Sequence, residues 1–344
     1  MMKYLIVYAL LGFGLYIPYK SSPKAQTENN QKVADLEISL GRNLDFKVPN
    51  LTIKGASAKV GEEIVKTGFG ESSEGKKAKK QSKHFVCTSC HNVVKEDPNL
   101  MKNDPEKRLI YTVEKGIPYL QGTTLYGAVN RNTYYNGDYY KKYGNLVDKA
   151  RNDVREAIQL CAVECAQGRK LEPWEIESIL AYLWTIGLKV SDLDLNTEEN
   201  KLISDPNKTN MDKTLALEMV RGKYLDKSDA TFTPPPTDRK VGNGLIGDAK
   251  NGYLFYKQSC LHCHYQKKYS YLHLDESGMS RAYLRNAVGT YHNNSIYQVT
   301  RWGVAPKAGK RSYMPQYTSQ KMSEQQLADL ITYLDIGVPK DIKK

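Results

Sequence analysis

Apolar and polar residues alternate with the spacing of an amphipathic helix in two separate segments, from Pro173 to Trp184 and from Ser323 to Leu334. The apolar positions are Ile176, Ile179, Leu180 and Leu183 in the first segment and Leu327, Leu330, Ile331 and Leu334 in the second. Pro173 suits the first helical turn, and Ser323 with Gln326 has the pattern of a capping box. Strand patterns are weak throughout, so the sequence predicts an all-α fold.

Each of these helical segments follows a copy of the pattern Cys-x-x-Cys-His. The first copy is Cys87, Cys90 and His91, and the second is Cys260, Cys263 and His264. In this pattern two thiols about one helical turn apart bond to one haem, and the histidine binds its iron. A single copy is also typical of a zinc half-site or a thiol redox motif. Two copies, each followed by the same kind of helix, favour two covalent c-type haems, with the cysteines as anchors and the histidines as proximal ligands.

The two copies indicate two helical domains, at residues 30–190 and 241–344. Residues 191–240 between them are largely polar, with one short helical candidate from Leu215 to Tyr224 and three consecutive prolines, Pro234 to Pro236. Consecutive prolines favour extended polyproline geometry. We therefore interpret 191–240 as a semi-rigid linker between the two domains.

The beginning of the chain has the plan of a secretory signal peptide over residues 1–25. Lys3 supplies the positive charge, and an apolar run from Tyr4 to Pro18 is followed by polar residues. No Ala-x-Ala cleavage pattern follows, so an uncleaved membrane anchor is the alternative. The segment predicts export to the periplasm. The mean hydropathy of −0.59 excludes a protein with several membrane spans.

The chain is basic, with a formal charge of +12. Such a charge favours an acidic redox protein, a membrane electron-transfer complex or a small anion as the partner. The sequence gives no reason to expect a nucleic acid.

Met314, on a loop with Pro315 ahead of the last helix, is the candidate for the sixth ligand of the second iron. A thioether ligand favours ferrous iron and raises the potential. The competing side chains are more typical of core methionines or surface histidines: Met279, Met322, His273 and His292. His84 and His262 are near the haem motifs only in sequence and receive no role.

The first half has no comparable methionine, but it has Cys161 and Cys165 four residues apart, where helical geometry would place them on one face. Three interpretations compete: a thiolate ligand of the first iron, a local disulfide, and two buried small apolar side chains. The residues alone do not choose between them.

With these motifs in place, the chain resembles dihaem c-type cytochromes of the thiosulfate dehydrogenase type. The resemblance implies His/Cys ligation of the first haem, His/Met ligation of the second, and sulfur oxidation at the cysteine-ligated iron. Ile158, Cys161 and Gly168 match the family segment around its ligand cysteine, which makes Cys161 the expected ligand and catalytic residue. Where the family has arginines before and after that cysteine, this chain has Ala157 and Glu164.

Two functions follow as hypotheses. The first is a periplasmic dihaem cytochrome that transfers electrons between its haems and a redox partner. The alternative is an oxidoreductase that oxidises an inorganic sulfur anion at the Cys161-ligated haem. Because an anionic substrate needs fixed cations, the residues at positions 157 and 164 favour electron transfer.

Overall fold

The computed structural model describes residues 30–304 and 314–338, so the predicted leader at residues 1–25 lies outside the described part of the chain. The helices are α1 (Val33–Ser39), α2 (Ala58–Thr67), α3 (Pro105–Lys115), α4 (Tyr140–Tyr143), α5 (Val147–Ala150), α6 (Val154–Leu160), α7 (Pro173–Thr185), α8 (Thr197–Ser204), α9 (Asn210–Arg221), α10 (Ala249–Phe255), α11 (Leu261–His264), α12 (Gly278–Asn286), α13 (Ile296–Trp302) and α14 (Glu324–Ile336). Within the described ranges there is no strand, so the predicted all-α fold is confirmed. None of the helices in these ranges is long and apolar enough to cross a membrane.

In the first half of the chain, α2 packs against α7. Ser57 caps α2, and its backbone N–H donates a hydrogen bond to the Ser178 hydroxyl of α7 at 3.1 Å. One turn later, Gly61 lies against the same residue, since a Cβ at position 61 would lie 1.8 Å from the Ser178 carbonyl oxygen. Gly61 is therefore required by the close approach of the two helices.

The second half repeats this arrangement with α10 and α14. Asp248 caps α10, and its backbone N–H donates to the Asp329 carboxylate of α14 at 2.7 Å. A Cβ at Gly252 would lie 2.0 Å from the Asp329 carbonyl oxygen. In both pairs the glycine is the fourth residue after the N-cap, so the two halves position their helices in the same register.

The two halves share a core and several polar contacts. The apolar cluster built around α10 and α14 also contains Leu109 and Tyr119 from the first half. The Tyr119 backbone N–H donates to the Gln258 carbonyl at 3.1 Å, and the buried Lys321 ammonium donates to the buried Glu96 carboxylate at 2.7 Å. The residues around the first motif are thus held directly by residues around the second.

Residues 191–240 are more ordered than the linker interpretation indicated. They include α8 and α9, and residues of both helices bury apolar side chains against α1, among them Ile203, Ala216 and Val220. α9 spans Asn210–Arg221 rather than the predicted Leu215 to Tyr224. The proline run is extended, and the preceding Phe232 is buried.

Candidate haem-binding sites

The first Cys-x-x-Cys-His copy lines a cavity of about 310 Å³, within the usual size of a ligand pocket. Cys87 begins a short 3₁₀ turn, and the walls of the cavity include Cys87, Cys90 and His91. Cys161 and Cys165 line the same cavity. The structure therefore brings together the first motif and the two other cysteines of the first half, which are far apart in sequence.

The His91 ring is held by the loop that follows the motif. Its Nδ1 donates to the Thr123 carbonyl oxygen at 2.7 Å, which leaves Nε2 with its lone pair. Burial lowers the pKa of His91 and keeps the imidazole neutral. A Cβ at Gly122 would lie 2.5 Å from the ring, so glycine leaves the space that the imidazole occupies. A neutral ring fixed in this tautomer suits an iron ligand.

The second copy follows α10 through a π-helical turn, Tyr256–Cys260, into α11. His264 repeats the pattern of His91, because its Nδ1 donates to the Leu272 carbonyl oxygen at 3.1 Å and burial lowers its pKa. Cys260 and Met314 both pack against the apolar cluster around α10 and α14. The structure thus places Met314 and the second motif beside the same core.

The protonation of the motif cysteines suits haem attachment. Burial raises the pKa of Cys87 to about 11, of Cys260 to about 12 and of Cys263 to about 11, and it also raises the pKa of Cys90. A thioether carries no charge, so the burial of these four sulfurs is compatible with covalent haem attachment.

The two motifs are neighbours in space. The His262 ring, inside the second motif, interacts with the backbone of Thr88 and Ser89, inside the first motif. Burial nevertheless dominates and lowers the pKa of His262 to about 4. The sulfurs of Cys90 and Cys263 are near enough for their charges to interact. His262, to which sequence reasoning assigned no role, therefore lies close to the first motif.

Cys161 and Cys165 are the two ends of a π-helical turn that continues α6. π-helical turns are rare and often occur at functional sites. Both side chains are free thiols and they hydrogen-bond each other. Around Cys165 lie phenol groups, with the Tyr143 hydroxyl 3.4 Å from its sulfur and Tyr135 in a further hydrogen bond.

Cations reach the cavity from parts of the chain that the sequence argument did not consider. Arg131 lines it and donates to the Thr124 carbonyl oxygen at 3.2 Å. The half-buried Lys142 ammonium donates to Gln316 and is near enough to Cys165 for the two charges to interact. Arg155, which precedes Cys161, pairs instead with a carboxylate of α7.

A polar bridge that sequence reasoning missed connects the two sites. Gln121, on the wall of the first cavity, donates to the hydroxyl of the buried Tyr317 at 3.0 Å. That hydroxyl is 2.5 Å from the Ser259 hydroxyl, and Ser259 directly precedes Cys260. Pro315, adjacent to Met314, also lines the first cavity. The Met-Pro loop therefore runs between the two sites.

Residues 247–334 match the family model described as cytochrome C oxidase, cbb3-type, subunit III. No curated protein and no solved structure gives a significant match to the chain. The matched range begins just before α10, ends within α14 and includes the second Cys-x-x-Cys-His copy. Residues 247–334 are therefore a cytochrome c domain, which binds a covalent iron-containing c-type haem and supports a function in electron transfer.

Proposed function

We propose that this chain is an exported, periplasmic dihaem c-type cytochrome that passes electrons between two haems and a redox partner. Cys87, Cys90 and His91 hold the first haem, and Cys260, Cys263 and His264 hold the second. Haem supplies an iron that takes up and releases one electron at a time. The protein provides covalent anchoring, oriented imidazoles and a buried setting.

The contact between the two motifs is the observation that carries this proposal. An electron moves efficiently between two centres only when they are close. His262 of the second motif is near the backbone of Thr88 and Ser89 in the first motif, and the Cys90 and Cys263 sulfurs are near each other. The Gln121–Tyr317 hydrogen bond, 3.0 Å long, adds a second connection. These contacts support two centres held close together.

Two candidate ligands would give the transfer a direction. A thiolate from Cys161 would donate electron density and stabilise ferric iron, whereas a thioether from Met314 would favour ferrous iron. The first haem would then have the lower potential, so electrons would pass from it to the second. The two imidazoles do not create this difference, because both donate Nδ1–H to a backbone carbonyl in the same way.

Mass spectrometry of the full-length protein, expressed with a c-type haem maturation system, tests the number of haems. We expect two haem additions in the parent protein and one in each of two double variants, Cys87→Ser/Cys90→Ser and Cys260→Ser/Cys263→Ser. The two double variants are matched controls, since each should retain the haem that the other loses. A parent protein with a single haem would contradict the dihaem proposal.

A spectroscopic redox titration tests the ligands and the direction. Cys161→Ala should raise the potential and change the spectrum of one haem, while Cys165→Ala, which removes only a hydrogen bond to that sulfur, should shift the potential less and leave the ligand spectrum in place. Met314→Ala should lower the potential of the other haem. If Cys165→Ala rather than Cys161→Ala alters the spectrum, Cys165 is the ligand and our assignment is wrong.

A basic chain is expected to dock an acidic electron acceptor or donor. The rate of electron exchange with an acidic redox protein should fall as salt screens the attraction. Exchange with a neutral small-molecule mediator is the control, and its rate should not depend on salt. A salt-independent rate with the acidic protein would contradict this choice of partner.

A second function, oxidation of an inorganic sulfur anion such as thiosulfate at the first haem, is favoured by one observation. Arg131 and Lys142 bring positive charge to the cavity that Cys161 and Cys165 line. Thiosulfate should then reduce the oxidised protein, and Lys142→Met should slow this reduction while reduction by ascorbate stays unchanged. Absence of any reduction by thiosulfate in the parent protein would exclude this substrate.

A further inference from the structure

The second cysteine of the π-helical turn has no role in the proposed electron transfer. Cys165 hydrogen-bonds Cys161 and lies beside phenol groups and an ammonium group, including Tyr143 and Lys142. A buried small apolar side chain would instead lie within one of the apolar clusters. Neither Cys161 nor Cys165 belongs to the clusters that the described residues form, although the neighbouring Ala162 does.

We propose that Cys161 and Cys165 form an exchangeable dithiol, which closes to a disulfide by reaction with small disulfide compounds and thereby releases Cys161 from the first iron. The two cysteines are the ends of one π-helical turn, line the same cavity and interact through their side chains, so their sulfurs are neighbours. The release from iron rests on the proposed function, whereas the formation of the disulfide does not.

Both cysteines are half-buried rather than enclosed in a packed core. The cavity that they line also has exposed residues in its wall, among them Lys102, Lys227 and Asp229. Because the proposed haem would occupy part of this cavity, a small disulfide must reach the sulfurs through the remaining part. The two lysines favour an anionic compound such as oxidised glutathione.

The reaction is a thiol–disulfide exchange in two steps. One protein sulfur attacks the small disulfide, whose S–S bond breaks and releases a small thiol. The second protein sulfur then attacks the mixed disulfide and releases a second small thiol. The Cys165 thiol and the Cys161 sulfur, which is a thiolate when it binds the iron, are oxidised, and one small disulfide is reduced to two small thiols. One proton of these thiols comes from Cys165 and the other from solvent, because the iron-bound sulfur carries none.

Exchange at half-buried sulfurs is slow, because access to the sulfur limits its rate. Incubations must therefore approach equilibrium from both the oxidised and the reduced side.

The test uses the haem-loaded, full-length protein in buffers with different ratios of reduced to oxidised glutathione. After quenching and alkylation, trypsin releases a peptide covering residues 156–169, which contains Cys161 and Cys165. We expect this peptide to carry two alkyl groups when the protein comes from the most reducing buffer. From the most oxidising buffer it should carry no alkyl group and should be two hydrogens lighter. Two alkyl groups at every ratio, or two separate glutathione adducts, would overturn the proposal.

The variants Cys161→Ser and Cys165→Ser are the matched controls. Each retains one thiol, so neither can form the internal disulfide, and serine keeps a hydrogen-bonding group at the substituted position. We expect these peptides to carry one alkyl group or one glutathione, and never the two-hydrogen loss. Such a loss in either variant would overturn the assignment of the pair.

The link to the first haem has its own measurement. In the parent protein, disulfide formation should change the visible spectrum of one haem, whereas the same buffers should leave the spectrum of Cys165→Ser unchanged. A disulfide that forms without this spectral change overturns the release of Cys161 from iron. Because haem attachment is counted separately by mass, failure of the dithiol and failure of the dihaem proposal are distinguishable.

Discussion

The buried ion pair between Lys321 and Glu96 joins the segment before α14 to the segment after the first Cys-x-x-Cys-His copy. Its two side chains are 6% and 1% exposed, and the ammonium is 2.7 Å from the carboxylate. Lys321→Met keeps much of the apolar stem but removes the charge, which leaves Glu96 buried without this cation. We predict that this substitution loosens the contact between the halves and destabilises the folded protein.

The size of this destabilisation depends on the groups that remain around the Glu96 carboxylate. Removing one partner of a buried ion pair costs about 3–5 kcal/mol. Glu96 keeps hydrogen bonds from the Thr124 backbone N–H at 3.0 Å and from Asn92 at 2.9 Å, and Arg108 is near enough to interact with its charge. We therefore expect the lower end of that range, about 3 kcal/mol, for Lys321→Met.

Urea unfolding, followed by circular dichroism and by haem absorbance, measures this effect in a double-mutant cycle with Glu96→Gln. The double variant has no buried charge at the site, so it should lose at least about 2 kcal/mol less than the sum of the single variants. The exposed pair of Lys66 and Glu62 is the control, and Lys66→Met should cost less than about 0.5 kcal/mol. Strict additivity at the buried site would refute the reasoning.

The Lys321–Glu96 pair also predicts that the stability of the folded protein depends on pH. Burial by itself would raise the pKa of Glu96, but the charges of Lys321 and Arg108 lower it to about 2. A carboxyl group whose pKa is lowered on folding stabilises the protein fully above about pH 4.5, and this contribution is lost as the pH falls towards 2. In Lys321→Met the pKa should rise, so unfolding should begin at a higher pH than in the parent protein.

Two further substitutions test how the second haem motif is positioned. Gly252→Ala places a Cβ 2.0 Å from the Asp329 carbonyl oxygen, and this overpacking should lower the free energy of unfolding by about 1–3 kcal/mol. Gly278→Ala is the control, because a Cβ there has no atom within 4 Å. In thermal unfolding it should be neutral or slightly stabilising. Ser323→Ala removes the side-chain cap on the Gln326 N–H at 3.0 Å and should cost about 1 kcal/mol, and an unchanged melting temperature would contradict that role.

Elements with local signals could be predicted from the sequence. α7 begins at Pro173, and α14 follows the Ser323–Gln326 capping box as the sequence indicated, because caps and apolar spacing depend on neighbouring residues. The start of α9 had a signal of the same kind that was missed, since Thr209 and Asp212 form a capping box. The helix therefore begins several residues before the predicted Leu215.

Contacts between distant segments could not be predicted from the sequence. α8 has little amphipathic pattern of its own and is stabilised by burying Ile203 in a cluster shared with α1. In the same way, each Cys-x-x-Cys-His copy indicates its own chemistry but carries no information about its neighbour. The proximity of His262 to Thr88 depends on the packing of both halves, so only the structure could show it.

The charge around Cys161 shows why sequence neighbours are an unreliable guide to an active site. Ala157 and Glu164 suggested a site without cations, and this was the main reason to prefer electron transfer over sulfur oxidation. In the structure Arg131 lines the cavity, and Lys142 lies near Cys165 although it is not in the cavity wall. Charge therefore no longer separates the two functions. If Cys161 binds the first iron as proposed, the behaviour of its sulfur would separate them, because the second thiol beside it gives that sulfur another partner.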